Sequence, residues 1–216
     1  MKSILKYLLA VLAISFVIGF LVYLFIDKPL PNGTKGNEAE QLADEMLSAL
    51  NKRAFDSLNY IGFTFRDVHS YQWDLAAKKV TVAWDEQSIE LDLNSGVDDY
   101  NLLEYKAYEY FINDSFWLIA PFKVRDDGVV RSTVKLDEGR GLLVSYTSGG
   151  LTPGDSYLWI IDERGFPKEW RLWTSNVPIG GLSFTWEGWV EMNEVWFSTQ
   201  HDSWLLELGI TDVMVR

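Results

Sequence analysis

The chain has 216 residues, of which 48% are hydrophobic, and its formal net charge at pH 7 is −12. This length and apolar content suffice for one domain with a buried core and argue against overall disorder. The absence of cysteine excludes disulfides, Cys-ligated zinc, a thiol nucleophile and the lipid-modified N-terminal cysteine of bacterial lipoproteins. Nucleic-acid binding requires basic stripes, and the sequence has none, so we expect no nucleic-acid partner.

The first element is an uncharged apolar run from Tyr7 to Ile26, preceded by Lys2 and Lys6. Twenty helical residues extend roughly 30 Å, the thickness of a bilayer core. The run lacks an A-x-A cleavage pattern, so we predict an uncleaved signal-anchor helix in residues 1–28. The two lysines predict that its N-terminus is cytoplasmic, with the rest of the chain outside. A cleaved signal peptide, with a mature terminus near Pro29, is the alternative.

The region after the anchor is acidic. Residues 1–28 contain three lysines and one aspartate, a charge of +2, so the remaining residues carry −14. Residues 29–36 are rich in proline and glycine and predict a linker. From Asn37 to Arg53, Leu42, Met46 and Leu50 recur at helical spacing, which predicts an amphipathic helix with Asn37 as its N-cap and this stripe packed on a sheet.

From Tyr60 the hydrophobic period becomes two, which predicts an antiparallel meander. Residues 98–122 interrupt it and predict a helix, a break or cap at Asn113-Asp114, and a second short piece that stops at Pro121. Ten strands are predicted in all, at residues 60–68, 69–75, 78–86, 87–95, 131–138, 140–148, 155–163, 167–175, 182–193 and 195–201.

One predicted hairpin is apolar on both faces. Residues 162–165 predict its turn, with Gly165 at positive φ, and the flanking strands are expected to pair. Tyr157, Trp159 and Ile161 then share one face, and Leu158 and Ile160 the other. We expect one of these faces to contact the helices and the other to line a ligand cavity.

The predicted fold is α+β. Ten strands with two helices predict a large curved antiparallel sheet that curls into a barrel or half-barrel, with the helices on its concave side. The second apolar face of the late strands must then line a cavity, meet a partner or lie near the membrane.

Residues 111–129 and 154–175 resemble bacterial envelope proteins of the LolA-like superfamily, and more narrowly outer-membrane lipoprotein-sorting-like proteins. The resemblance implies that residues 37–216 form an unclosed antiparallel barrel with a helical lid around an apolar cavity for lipoprotein acyl chains or other lipids. An anchored chain departs from a soluble carrier that crosses the periplasm. The matching residues are Asn113-Asp114, Phe116-Trp117-Leu118, Pro121-Phe122-Lys123, Asp127-Gly128, Asp155, Tyr157, Asp162, Gly165–Pro167 and Trp170.

These observations predict a single-pass protein of the bacterial inner membrane, with its domain in the periplasm, that binds a lipid, acyl chain or other apolar ligand. Rigid aromatic side chains with one polar tip suit such a cavity, although ordinary core packing is the alternative for each of them. The candidate ligand-binding residues are Trp117, Phe122, Tyr157, Trp159, Trp170, Trp173 and Trp186, and Trp189 is a further aromatic candidate.

Catalytic signals are weak, and we expect neither an enzyme nor a cofactor. His69 and His201 are the only histidines, and they have no metal-ligand spacing. Two alternatives remain open: an interaction module of an envelope complex with an exposed aromatic surface, and a carbohydrate-active enzyme. An internal pocket favours ligand binding, a flat exposed aromatic patch favours the module, and facing carboxylates about 5–10 Å apart favour the enzyme.

Overall fold

The computed structural model describes residues 7, 9, 12, 14–17, 19, 23–148 and 152–216. The predicted anchor therefore lies largely outside the described residues, as do the two lysines before it. Residues 23–26 are helical. Within the described part of the chain, no helix has both the length and the apolar character needed to cross a membrane.

The first long helix, α1, spans Asn37–Ala49 and is followed by a short helix, α2, at Lys52–Phe55. The predicted stripe is confirmed, because Leu42, Met46 and Leu50 are all buried. The predicted N-cap is wrong: Gly36 occupies that position, and no side chain in the described part of the chain caps the helix there.

Helix α3 spans Leu102–Ile119 without interruption, so the break predicted at Asn113-Asp114 is wrong. Asn101 caps this helix in a capping box with Glu104. The Asp114 carboxylate points away from the helix backbone and accepts hydrogen bonds from the neighbouring sheet. The α-helix ends at Ile119, before Pro121, but the chain continues through Pro121 in a 3-10 turn, Ala120–Lys123, so the second piece predicted to stop at Pro121 does not form separately.

Thirteen strands are present in the described residues, against ten predicted. The predicted strand 182–193 is split at a turn that contains Gly188, whose φ is +62°, and 195–201 is split as well. The last strand was not predicted. The strands are β1 Tyr60–Phe65, β2 His69–Asp74, β3 Lys79–Trp84, β4 Gln87–Asp92, β5 Val129–Val134, β6 Arg140–Tyr146, β7 Ser156–Ile161, β8 Pro167–Trp173, β9 Leu182–Thr185, β10 Val190–Met192, β11 Val195–Phe197, β12 Gln200–Asp202 and β13 Glu207–Val215.

The fold is α+β with two large antiparallel sheets. One has the strand order β12-β13-β1-β2-β3-β4, the other the order β5-β6-β7-β8-β9, and β10-β11 form a separate hairpin. The two large sheets meet where β9 lies beside β12: the Asp202 N–H donates to Thr185 Oγ1 (3.0 Å), and Glu187 forms an antiparallel bridge with Gln200. The described strands thus form two joined sheets and not the single predicted one.

The inner faces of both sheets and the helices share one hydrophobic core. The β7–β8 hairpin is confirmed, with its turn at residues 162–165 and Gly165 at φ +89°. A side chain at Gly165 would lie 2.9 Å from Ala49 Cβ, so glycine also allows the turn to pack on α1. Trp159 and Ile161 belong to the core, and Tyr157 on the same face packs 5.2 Å from Phe116 of α3, so this face is turned toward the helices.

Residues 28–34, which we call the N-terminal strap, are held at both edges of the five-stranded sheet. At one end the Lys28 N–H donates to Gly180 O (2.9 Å), and the Lys28 carbonyl accepts a hydrogen bond from Trp173 Nε1 (2.7 Å). At the other end Thr34 forms an antiparallel bridge with Thr133 on β5. Residues 29–36, predicted as a linker, therefore begin within a segment that is attached to the domain.

The strap crosses the outer face of the sheet, opposite the helices. Ser132, Leu143, Leu158 and Arg171 are consecutive register partners across β5 to β8, so they form one row on that face. Three strand spacings take about 14 Å, and seven extended residues reach about 20 Å. Leu143 and Leu158 are only 6% and 2% exposed. The strap thus crosses the outer face of β7 at Leu158, and the β5–β6 connection covers Ile160 at Gly139. This face does not line a cavity, although one of the two predicted faces was expected to do so.

Candidate functional site

A cavity of about 780 Å³ lies beside α3, between the inner faces of the two sheets. Its wall is mostly apolar, and this volume falls within the range of small-molecule pockets. Both sheets, α3 and five of the connecting segments contribute. The lining includes Trp73, Leu93, Val97, Tyr108, Phe111, Ile112, Phe116, Trp117, Ile119, Tyr146, Tyr157, Trp170, Leu172, Val177, Leu182, Phe184, Leu205 and Leu206.

Three of the predicted ligand-binding residues, Trp117, Tyr157 and Trp170, line this cavity together. The Tyr157 and Trp170 rings stack at 4.8 Å between centroids, and Trp117 meets Trp170 edge-on at 4.9 Å. Phe116 on α3 packs 5.2 Å from Tyr157. Aromatic rings fixed against one another in this way lose little freedom on binding, so they provide a rigid wall for a ligand.

The other predicted ligand-binding residues do not line the cavity. Trp159 and Trp186 are fully buried behind Trp170, with ring centroids 4.9 and 5.0 Å from it. Phe122 stacks on Phe55 at 4.1 Å. Trp173 lies on the outer face of β8, against the strap, because it alternates with the inward residue before it. The additional candidate Trp189 packs on Trp186 and Phe166.

Polar atoms without partners border the apolar wall. Tyr146 Oη, Trp170 Nε1 and Thr174 Oγ1 are buried, and none has a hydrogen-bond partner among the described residues. All three residues line the cavity. Burial raises the pKa of the Tyr146 hydroxyl, which is therefore neutral and able to donate. Buried polar groups are normally satisfied, so these three atoms are exceptions among the residues that line the cavity.

Charged side chains concentrate at one part of the wall, where Lys123, Asp126, Asp127 and Asp155 line the cavity. Asp155 is buried, and its two carboxylate oxygens accept hydrogen bonds from Thr152 Oγ1 (2.5 Å) and the Ser175 N–H (3.0 Å). This carboxylate therefore holds together the loops at the cavity wall. It is not positioned as a free acid or base.

A buried polar cluster that the sequence did not reveal connects α3 to β2. Asp114 Oδ2 accepts hydrogen bonds from Tyr71 Oη (2.6 Å) and faces His69 Nδ1 at 2.6 Å. Burial raises the pKa of Asp114, and the contacts with Tyr71 and His69 oppose that rise. The His69 ring also stacks on Tyr110 at 4.1 Å. Only the long-range pairing of α3 with β2 brings these residues together, so the sequence carried no local signal for them.

His201 lies at the junction of the two sheets and is fully buried between Trp117 and Trp186. Its Nδ1 is 3.2 Å from the Thr185 carbonyl, and Nε2 has no hydrogen-bond partner in the described part of the chain. Burial lowers the pKa of His201 to about 4, so the ring is neutral at pH 7. The described residues contain no group of three His, Cys, Asp or Glu side chains able to hold a metal ion.

No protein-family profile, curated protein or solved structure shows significant similarity to this chain. The LolA-like resemblance of residues 111–129 and 154–175 therefore stays a prediction.

Proposed function

We propose that this protein binds a lipid, acyl chain or other apolar ligand non-covalently in the cavity beside α3. The observation that carries the proposal is the cavity of about 780 Å³ with its aromatic wall of Phe116, Trp117, Tyr157 and Trp170. Buried apolar area, at about 25 cal/mol per Å², supplies most of the affinity.

The unpartnered polar atoms favour an amphipathic ligand over a hydrocarbon. Tyr146 Oη and Thr174 Oγ1 supply hydroxyl donors, and Trp170 Nε1 supplies a third donor. Lys123 also lines the cavity, where its ammonium group is ion-paired with Asp126. A fatty acid or the ester group of a lipid would place its oxygens at these donors and its chain along the aromatic wall.

We further propose that the two joined sheets form a half-open barrel of the LolA-like kind, with α3 covering its concave side. The contact of β9 with β12 supports this arrangement. It joins the five strands β5-β6-β7-β8-β9 to the six strands β12-β13-β1-β2-β3-β4 in one antiparallel series of eleven. The N-terminal run from Tyr7 to Ile26 supports a membrane anchor with the domain in the periplasm.

The interaction-module alternative gains less support from the tryptophans. All ten lie in the described part of the chain, and Trp204 alone is exposed. A flat aromatic surface needs several exposed rings, so one exposed tryptophan argues for a ligand cavity over a broad aromatic interface.

Displacement of an apolar fluorophore by palmitate, with the full chain in a mild non-lipid detergent, tests the proposal. Ile112→Trp fills the cavity from α3 and should weaken palmitate binding at least tenfold. The matched control is Ile89→Trp, an equally half-buried position on β4 outside the cavity, which should leave binding unchanged. If the wild-type chain binds no palmitate, or both variants bind it like the wild type, ligand binding in this cavity is excluded.

A further inference from the structure

The N-terminal apolar run is attached to the domain at a defined place. Most of its described side chains are exposed, up to 78% at Phe25, and Ile26 is half-buried. The helical turn ends where the Asp27 N–H donates to Tyr23 O (2.9 Å). Asp27 Oδ1 then accepts a hydrogen bond from the Gly180 N–H (2.7 Å), and the Lys28 N–H donates to Gly180 O (2.9 Å). The run therefore leaves the domain at the loop between β8 and β9, residues 174–181.

The same loop forms part of the cavity wall. Thr174, Asn176 and Val177 line the cavity from this loop, and Leu182 lines it from the first position of β9. The site where the apolar run is attached is thus in the same loop as part of the cavity wall.

A second exposed apolar feature lies at this end of the molecule. Trp204, Leu205 and Leu206 are 66%, 50% and 41% exposed at the tip of the β12–β13 hairpin. The two leucines also line the cavity. Because β9 and β12 run antiparallel with Thr185 beside Asp202, the tip that follows Asp202 lies beside the start of β9, next to the docked run.

We propose that this end of the molecule, which we call the rim (residues 174–182 and 203–206), is seated on a lipid bilayer. The cavity then opens toward the membrane, and an acyl chain of a bilayer lipid enters without crossing water. The entry of the acyl chain rests on the proposed function; the seating of the rim does not.

The features of the rim fit a bilayer. Tryptophan favours the membrane interface, and leucine side chains gain from burial in the acyl region. The twenty-residue run, docked at the same place, is long enough to enter the bilayer core. Asp202 and Glu207 flank the tip, and Asp126 and Asp127 precede β5 at the same end of the five-stranded sheet. These carboxylates would be repelled by anionic headgroups, so the surface is that of zwitterionic lipids such as phosphatidylcholine.

The chain has no cysteine, so single-cysteine variants can be labelled at one site. The full chain with Trp204→Cys, labelled with an environment-sensitive fluorophore, is reconstituted into phosphatidylcholine vesicles that contain nitroxide lipids. We expect several-fold stronger quenching than for the control Ala76→Cys. Ala76 is exposed in the β2–β3 turn, near the end of β13 that is remote from the tip, about 30 Å along that strand.

A second variant tests whether the docked run sets this orientation. A Cβ at Gly180 would lie 2.5 Å from Lys28 O and 2.7 Å from the Trp173 ring, so Gly180→Ala displaces the docked segment. Quenching of the label at residue 204 should fall. Gly96→Ala, whose Cβ would lie in ordinary contact with Asp99 Oδ2 at 3.4 Å, should leave it unchanged.

Equal quenching at residues 76 and 204, or no difference between the two alanine variants, would overturn the seating of the rim. Palmitate binding in detergent is measured on the same proteins. Binding retained without quenching at residue 204 would remove the membrane contact and leave the proposed function intact. Quenching without palmitate binding would support the seated rim and remove the proposed function.

Discussion

The two large sheets use their outer faces differently. In the six-stranded sheet, β3 alternates between buried and more exposed residues, the pattern of a sheet with one face in water. In the five-stranded sheet, every residue of β7 is buried. The strap accounts for much of the difference, since it crosses the outer face between Lys28 and Thr34, and the β5–β6 connection lies against Ile160 at Gly139. A strand that is apolar on both faces therefore does not by itself indicate a ligand site.

The largest expected effect is on the outer face beneath the strap. Leu158→Ala removes a side chain that is 2% exposed, and it should lower the free energy of unfolding by about 2–5 kcal/mol. Gln72→Ala, at an exposed position of β2 in the other sheet, should change it by less than about 0.5 kcal/mol. Urea unfolding measures both; similar values would mean that the strap does not bury the outer face.

The junction of the two sheets should be sensitive to acid. The folded pKa of His201 is about 4 against an ordinary 6.5, so between these pH values the unfolded chain binds a proton that the folded chain does not. The contribution of neutral His201 to the free energy of unfolding is therefore complete above pH 6.5. It falls by about 3 kcal/mol as the pH drops to 4.

His201→Leu should remove that part of the pH dependence, because leucine does not titrate. The difference between the two proteins is measured by urea unfolding at several pH values, so that other titrating groups cancel. Parallel stability curves for the two proteins from pH 7 to pH 4 would show that His201 is accessible to protons in the folded state.

Weakening the attachment of the strap should lower the free energy of unfolding by a smaller amount. Trp173→Phe keeps an aromatic ring on the outer face but removes the hydrogen bond to the Lys28 carbonyl, so a loss of about 1 kcal/mol is expected. Hydrogen exchange should show faster exchange of the Lys28 and Thr34 amides in the variant. Unchanged protection of both amides would argue that this hydrogen bond does not hold the strap.

The smallest effect on stability is expected for the ion pairs that connect α1 to the loop after α3 and to β5. Glu40 pairs with Arg125 (2.7 Å) and Arg131 (2.9 Å), and its hydrogen bond to Arg131 is the main interaction that lowers its pKa. The stabilisation is present above the ordinary pKa of a carboxylate and is lost as the pH falls through the lowered value.

Because these groups are partly exposed, Glu40→Gln should cost about 0.2–1 kcal/mol at pH 7 and less in high salt. Thermal unfolding at two salt concentrations measures the effect. The control is Glu38→Gln, in the first turn of the same helix and without an ion pair among the described residues. Equal, salt-independent losses for the two variants would rule out the ion pairs as the cause.

The sequence predicted local structure correctly where residues close together in the chain determine it. Spacing placed Leu42, Met46 and Leu50 on one buried helix face, and the turn at 162–165 paired β7 with β8. Local reasoning failed at Asn113-Asp114, because Asp114 is satisfied by Tyr71 of a distant strand and not by its own helix. It also missed β13, which begins only after the exposed apolar tip.

The sequence by itself determined the α+β class and the hydrophobic period of each long element. It also showed more aromatic side chains than strands with a single buried face need. Only the tertiary structure decided their roles: Trp170 lines the cavity, Trp159 beside it on the paired strand is core, and Trp173 lies under the strap. A period of two assigns a residue to a face of its strand, but what covers that face depends on segments far away in the chain. Here those segments are α3 on the inner face and residues 28–34 on the outer one.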